Sequence, residues 1–271
     1  MGNVLLKVDN ISLSVNSNVI LDNLSFSVEK NSINAVLCPN NCGKTTLIKT
    51  LSGITCLDYG EITLNGIELN KDNFNKYILE VGTVLEDIDN QFICDKVNDE
   101  LKYPLTNLGC SFDEIQKRID IVSSVLKLSL ILGKDITRLT YFEKIKVLIA
   151  ASIVHSPKLL LLDDVFRFLN VKEKKDLFKL LKDVNNKLSI AIIFTTSSLE
   201  DVLDVDNIFV INNGQVVMNG SFDNIIYNDN ELSKIGIEIP LMIDLSRKLE
   251  FYKLIDKIYY NPDKVVDKLW K

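Results

Sequence analysis

Apolar and polar positions alternate through the first thirty residues: Leu6, Val8, Ile11, Leu13 and Val15, then Ile20, Leu24, Phe26 and Val28, broken by Asn, Asp and Ser. A period of two predicts short antiparallel strands. The compact apolar run "INAVL" at 33–37 predicts a further strand, and "GKTTLIKTLSG" a helix closed by Gly53. A turn-rich stretch at 60–69 reads as a hairpin and "VGTVL" at 81–85 as another strand. The period then lengthens. Phe112, Ile115, Ile119, Val122 and Leu126 fall at helical spacing, and 141–154 forms a second helix before Ser156 and Pro157. "KLLLLDD" at 158–164 is unbroken apolar sequence ending in two acids, the pattern of a central parallel strand buried on both faces. A helix over 171–185, a buried strand over 189–196 and a hairpin over 207–220 complete an α/β order. After Gly236 the pattern stays helical, with Leu241, Leu245, Leu249 and Ile255 at apolar positions. There is no internal repeat or low-complexity linker.

Composition narrows the class. The chain has 271 residues, 46% hydrophobic, enough for one large α/β domain with an appendage. A net charge of -6, with both signs interspersed, leaves no surface suited to nucleic-acid phosphates, so no nucleic-acid partner is expected. "MGNVLLKVDN" lacks the basic stretch and apolar run of a signal peptide, and Leu6 stands where a myristoylation motif needs Ser or Thr. The longest uncharged apolar runs, 147–154 and 188–195, fall short of the roughly 18 residues that span a bilayer, so membrane contact is expected to be peripheral. Five cysteines, Cys38, Cys42, Cys56, Cys94 and Cys110, are odd in number and irregularly spaced, which predicts reduced thiols and no disulfide. The only histidine is His155 and no second close cysteine pair follows Cys38 and Cys42, so that pair is expected to pack rather than bind metal.

The chemistry concentrates in "LCPNNCGKTT". A strand, a loop ending in Gly-Lys-Thr and a helix make a phosphate-binding loop: backbone N–H groups and the helix N-terminus face the β-phosphate, the lysine neutralises charge, and the threonine hydroxyl holds Mg2+. The candidate nucleotide-binding residues are Cys38, Pro39, Asn40, Asn41, Cys42, Gly43, Lys44, Thr45 and Thr46. Cys38 replaces the usual opening glycine and Asn41 another frequent glycine, and both are expected to add side chains to a tight loop. Asp163, ending the apolar strand, is placed to reach the Mg2+ shell. An inherited loop held only by internal contacts is the competing reading.

Taken together, these segments resemble the ATP-binding cassette (ABC) ATPase domain nearly end to end, and more narrowly the ATP-binding subunits of energy-coupling factor (ECF) transporters. "VGTVLEDIDNQF" at 81–92 lies where that family has its Q-loop, and "INNGQVVMNGSFDNII" at 211–226 continues the match. "DNQFICDKVNDEL" at 89–101 looks like the helix after the Q-loop, and "IGIEIPLMIDLSRKL" at 235–249 like the start of the C-terminal domain of ECF subunits. The resemblance implies an α/β P-loop NTPase with an antiparallel β subdomain, a helical subdomain over about 88–156 and a small C-terminal helical appendage. The ABC ATPase domain would cover 1–230 and the appendage 231–271. It further implies ATP and Mg2+ as cofactors, with Thr45, Glu86 and Asp163 near the metal. The partners implied are a second ABC subunit paired head to tail, a transmembrane coupling subunit and a substrate-binding membrane subunit, at the cytoplasmic face of the membrane. The implied activity is uptake of vitamins or metal ions driven by ATP.

Several positions depart from that family. "LTYFE" at 139–143 replaces the signature LSGGQ, putting Tyr141 and Phe142 where glycines let backbone approach the partner's γ-phosphate, while Thr140 keeps a hydroxyl. The catalytic glutamate is Asp164, one methylene shorter and a weaker base; the switch histidine is Ser197. Glu86 replaces the Q-loop glutamine, Val15 the adenine-stacking aromatic, and Asn170 an aspartate. The losses touch both halves of the composite site, so slow or absent hydrolysis is expected, with a catalytically inactive scaffold in the same complex as the alternative. An ABC protein acting on DNA or ribosomes is disfavoured by the acidic balance. His155 is expected at a loop or helix end, "KEKKD" at 172–176 on a solvated helix face, and Tyr259, Tyr260 and Trp270 in appendage packing.

Overall fold

The alternating N-terminal stretch forms strands β1 (Val4–Val15) and β2 (Asn18–Glu29), paired antiparallel across Asn16 and Ser17, whose φ angles of 50° and 65° suit a two-residue hairpin turn. Each strand runs for 12 residues, straight through asparagines that the sequence reads as turns. The asparagines that read as turns are irregularities within the ladder: Asn10 and Asn23 have φ of 49° and 47°, and the register shifts between Val8 and Ile11. The computed structural model describes residues 3–260 and 262–270; the outer limits of the two expected domains, residues 1 and 271, lie outside the described residues.

Strand β3 (Ile33–Leu37) is buried at every position and runs through the loop into α1 (Lys44–Leu51), which stops before Gly53 at φ 77°. Next come β4 (Tyr59–Leu64), β5 (Ile67–Glu68), α2 (Phe74–Leu79) and β6 (Val81–Val84). Three helices follow: α3 (Val97–Asn107), α4 (Phe112–Leu126) and α5 (Tyr141–Ile153). The α/β order resumes with β7 (Leu159–Leu162), α6 (Val171–Leu188), β8 (Ala191–Thr196), β9 (Asn207–Asn212) and β10 (Gln215–Gly220). Helices α7 (Phe222–Ile226), α8 (Asp229–Lys234), α9 (Leu241–Phe251) and α10 (Pro262–Leu269) end the chain.

Two sheets result. One is antiparallel, in the order β2-β1-β4-β5; the other has six strands in the order β10-β9-β3-β8-β7-β6, parallel except for β10. The unbroken apolar strands follow from burial on both faces. Leu159, Leu161, Ile193 and Val36 face a core shared with the antiparallel sheet and α1, whereas Leu160, Leu162, Phe194 and Leu37 face the helices. Among the described residues, no helix is long and apolar enough to cross a membrane.

Some expectations are corrected. Residues 89–101 are not one helix: a short turn at Asp89–Gln91 is followed by extended chain, and α3 starts at Val97. The buried Glu100 holds that bend, its carboxylate accepting the N–H groups of Ile93 (3.0 Å) and Cys94 (2.8 Å). Phe112 begins α4 but is exposed. In α9 the expected apolar positions Leu241 and Leu245 are exposed, while Ile243 and Ser246 turn inward; the Ser246 hydroxyl accepts the Tyr259 N–H at 2.6 Å. Tyr260 stacks edge-on against Phe222, but Trp270 is 81% exposed and does not pack.

Candidate nucleotide site

The topology places β3, β8 and β7 side by side and parallel, so the loops leaving their C-terminal ends, after residues 37, 196 and 162, converge. The Cys38 N–H donates to the Thr196 carbonyl at 3.1 Å, carrying the β3–β8 ladder into the phosphate loop. Asn41 then turns left-handed at φ 63°, a conformation asparagine tolerates, so the loop keeps its turn without glycine there. Gly43 cannot be so replaced. Its φ is 98° and a Cβ would sit 2.7 Å from Ile20 Cγ2. It precedes α1 with no side-chain cap, leaving the first N–H groups of the helix directed into the loop.

The loop doubles back so that Cys38 and Cys42 lie side by side. Their Cα atoms are 6.3 Å apart. Cys38 belongs to the core between α1 and the antiparallel sheet, and Cys42 packs against it. The two side chains therefore back the loop rather than crowd its ligand side. Cys56, Cys94 and Cys110 are free.

Lys44 folds over the loop, its Nζ 3.5 Å from Asn40 Oδ1 and 3.0 Å from Asp164 Oδ2. Both members of this ion pair are buried, with 8% and 7% of their side chains exposed. Asp164 has φ 50°, and its N–H donates to Thr195 Oγ1 at 2.9 Å; the Thr195 hydroxyl donates in turn to Asp163 Oδ1 at 2.9 Å. Asp163 is fully buried and its Oδ2 has no hydrogen-bond partner. Burial pushes its carboxyl above the usual carboxylate range, opposed by the neighbouring Thr45 and Thr195 hydroxyls. An orphaned carboxylate oxygen beside a loop threonine is a donor set suited to Mg2+, directly or through water, so these residues fit the implied metal.

Beside Thr45 and Lys49 opens a pocket of about 420 Å³, walled by Glu86, Tyr141 and Phe168. Glu86 pairs with Arg167, whose guanidinium lies over the Phe168 ring at 5.2 Å from its centroid. Tyr141 meets Phe168 edge-on with centroids 6.0 Å apart. The Tyr141 ring is thus packed within its own chain. Phe142 also packs against the core, under Lys146. Thr140 caps α5, its Oγ1 accepting the Glu143 N–H at 3.2 Å while Glu143 Oε2 accepts the Thr140 N–H at 2.9 Å, so its hydroxyl serves the helix.

Of the remaining candidates, Ser197 follows β8 in a bend and is partly exposed; Val15 ends β1 and is exposed. Asn170 caps α6 by accepting the N–H groups of Lys172 and Glu173, both at 3.0 Å. Pro39, Asn40 and Thr46 lie on the loop or first turn as expected. The sequence reading missed Thr195, Arg167 and Gln91. The Gln91 amide closes the 85–91 loop, Oε1 accepting the Leu85 N–H and Nε2 donating to the Leu85 carbonyl, each at 2.8 Å. Lys144 of α5 pairs with Asp89 at 2.6 Å, tying this loop to the helical block.

A phosphate loop at the end of β3, an acid pair two strands away and a three-helix insertion between them define a P-loop NTPase of the ABC ATPase type. The "ABC transporter" family model matches residues 21–167. An energy-coupling factor transporter ATP-binding protein of Mycoplasmopsis pulmonis is 30% identical over 234 residues, 86% of this chain and 88% of the relative. One of Ligilactobacillus salivarius is 26% identical over 269 residues, 98% and 95% of the two chains. The structure of cbiO1 from Clostridium perfringens, part of the ABC transporter complex cbiONQ, superposes with a TM-score of 0.78 at 26% identity, covering 88% of this chain and 96% of that one. The chain belongs to the ABC transporter family, on the branch of energy-coupling factor ATP-binding proteins.

Proposed function

We propose that this chain binds ATP with Mg2+ as one ATP-binding subunit of an energy-coupling factor transporter for a vitamin or metal ion, and that it hydrolyses ATP slowly or not at all. The observation carrying the second clause is the Lys44–Asp164 ion pair. The carboxylate at the position of the catalytic base is short, set on a left-handed residue and drawn 3.0 Å from the phosphate-loop lysine. A base must lie within hydrogen-bond reach of the water it activates, and positioned bases contribute about 10² to 10⁴ in rate. The loop keeps its glycine, lysine and threonine, and Asp163 keeps an unpartnered buried oxygen, which supports binding.

In this reading the chain pairs with a second ATP-binding subunit, docks on a transmembrane coupling subunit at the cytoplasmic face, and serves a membrane subunit that selects the substrate. Residues 231–271 form the appendage of the ATPase domain. The measurement is ATP binding and turnover by the chain alone and by the assembled complex, with and without Mg2+. Mg2+-dependent binding without turnover by this site is expected. Ordinary turnover abolished by Asp164→Ala would overturn the reading of impaired hydrolysis. Absence of binding, with uptake unchanged in Lys44→Ala, would leave a pure scaffold.

A further inference from the structure

We infer that Arg167 makes this site prefer a nucleoside triphosphate to a diphosphate, and that Glu86 holds it back until Mg2+ is bound; the inference deepens the nucleotide-binding reading above and rests on it. The turn after the acid strand brings the arginine to the site. Its N–H donates to the Asp164 carbonyl at 3.1 Å, and its guanidinium, set over the Phe168 ring, pairs with Glu86. Glu86 and Phe168 both wall the pocket that opens beside Thr45.

Charge decides what an added phosphate meets there. Glu86, Asp87 and Asp89 line the pocket, and the Asp163 and Asp164 carboxyls stand beside Thr45 and Lys44. A triphosphate is more negative than a diphosphate, so its terminal group is repelled unless a cation turns toward it. Lys44, Lys144 and Arg167 each hold a carboxylate at this site: Asp164 at 3.0 Å, Asp89 at 2.6 Å, and Glu86. Lys44 is buried and Lys144 is 20% exposed, whereas Arg167 is 48% exposed and its partner 37%. Arg167 is the cation with freedom to move. The Tyr141 hydroxyl on the same pocket is raised by burial foremost, then by Asp89 and Glu86, with Arg167 opposing, so the field of both partners reaches the cavity.

An exchange of partners follows from the relative strengths. A part-exposed ion pair is weakly held and opens without stranding a buried charge. A guanidinium and a phosphate make two parallel charge-assisted hydrogen bonds, a match that an ammonium group lacks. Where Mg2+ draws the Glu86 carboxylate, Arg167 loses its counter-charge and the terminal phosphate supplies another. Without Mg2+, Glu86 keeps the arginine and the preference is absent. Phe168, 64% exposed, offers the guanidinium an aromatic face that keeps it at the pocket wall when the pair opens.

The test is calorimetric titration of the full chain with ADP and with a non-hydrolysable imido analogue of ATP, in Mg2+ and in EDTA. The parent should bind the triphosphate about tenfold more tightly than ADP in Mg2+, and the two about equally in EDTA. Arg167→Gln should abolish the preference by weakening the triphosphate and not ADP, and Arg167→Lys, which keeps the charge without the planar fork, should retain about a third of it. Glu86→Gln releases Arg167 and should show the preference already in EDTA. A merely structural role for Arg167 would weaken both nucleotides by the same factor. That result, a parent without preference, an Arg167→Gln variant that keeps it, or a Glu86→Gln variant that lacks it in EDTA overturns this inference and leaves the nucleotide reading standing. Failure of the parent to bind either nucleotide overturns both.

Discussion

The Lys44–Asp164 pair supports a quantitative test. In Asp164→Asn the volume is kept and the Lys44 counter-charge is removed. Lys44 is 8% exposed and its other contact is Asn40 Oδ1 at 3.5 Å, so the ammonium is left largely desolvated. Breaking one side of a buried ion pair costs about 3–5 kcal/mol, and the open neighbouring pocket puts this case at about 3. For a chain of this size each kcal/mol moves the melting temperature by about 2–4 °C, so the ligand-free variant should melt about 6–12 °C lower. Nucleotide phosphates would restore the missing negative charge, so the loss should largely disappear with saturating Mg2+-ADP. The same free energy then appears as affinity: ADP should bind the variant up to about a hundredfold more tightly than the parent. Thermal unfolding with and without Mg2+-ADP, and calorimetric titration, measure both. An unchanged melting temperature, or a depression that nucleotide does not relieve, refutes the reasoning.

Other outcomes follow from the same site and from the single histidine. Asp163 ionises less readily when folded than when unfolded, so stability falls as pH rises through its raised value and its charge is a cost at neutral pH. Asp163→Asn should therefore melt higher than the parent without Mg2+ and lose the Mg2+ dependence of nucleotide binding; a lower melting temperature contradicts this. Burial pushes the His155 imidazole below its usual value, so the unfolded chain takes up the proton first and stability falls as pH drops through about 6.5. His155→Gln should flatten the fall in melting temperature between about pH 7.5 and 5.5. Gly43→Ala forces a side chain onto Ile20 at φ 98°, with a cost above about 1 kcal/mol, and should abolish ADP binding while far-ultraviolet circular dichroism stays that of the parent.

Which features could be read from the chain follows from where their information lies. Strands β3, β7 and β8 are legible because a sheet covered on both faces permits no polar interruption. Gly43, Lys44, Thr45, Asp163 and Asp164 are legible because each follows such a strand within a few residues. Thr195, Arg167 and Gln91 have no local mark: Thr195 matters through Asp163, 32 residues away, and Arg167 through Glu86, 81 residues away. The inward face of α9 was misplaced because this short helix buries only Ile243 and Ser246, too little to impose a period.

These differences bear on how binding and hydrolysis separate. Gly43 and Asn41 shape the loop backbone, each with a left-handed φ. Groups that act on the far phosphate are occupied instead: Asp164 by Lys44, Glu86 by Arg167, Tyr141 by Phe168 and Thr140 by the α5 cap. Random loss of catalytic residues would leave buried polar atoms without partners, at about 1–3 kcal/mol each. Here these groups are paired by contacts within the chain, and among the described residues of this site the one orphaned buried oxygen is Asp163 Oδ2. If hydrolysis is impaired as proposed, these internal contacts are where the loss would be read: freeing Asp164 from Lys44 alone should not restore turnover while Glu86 stays paired with Arg167.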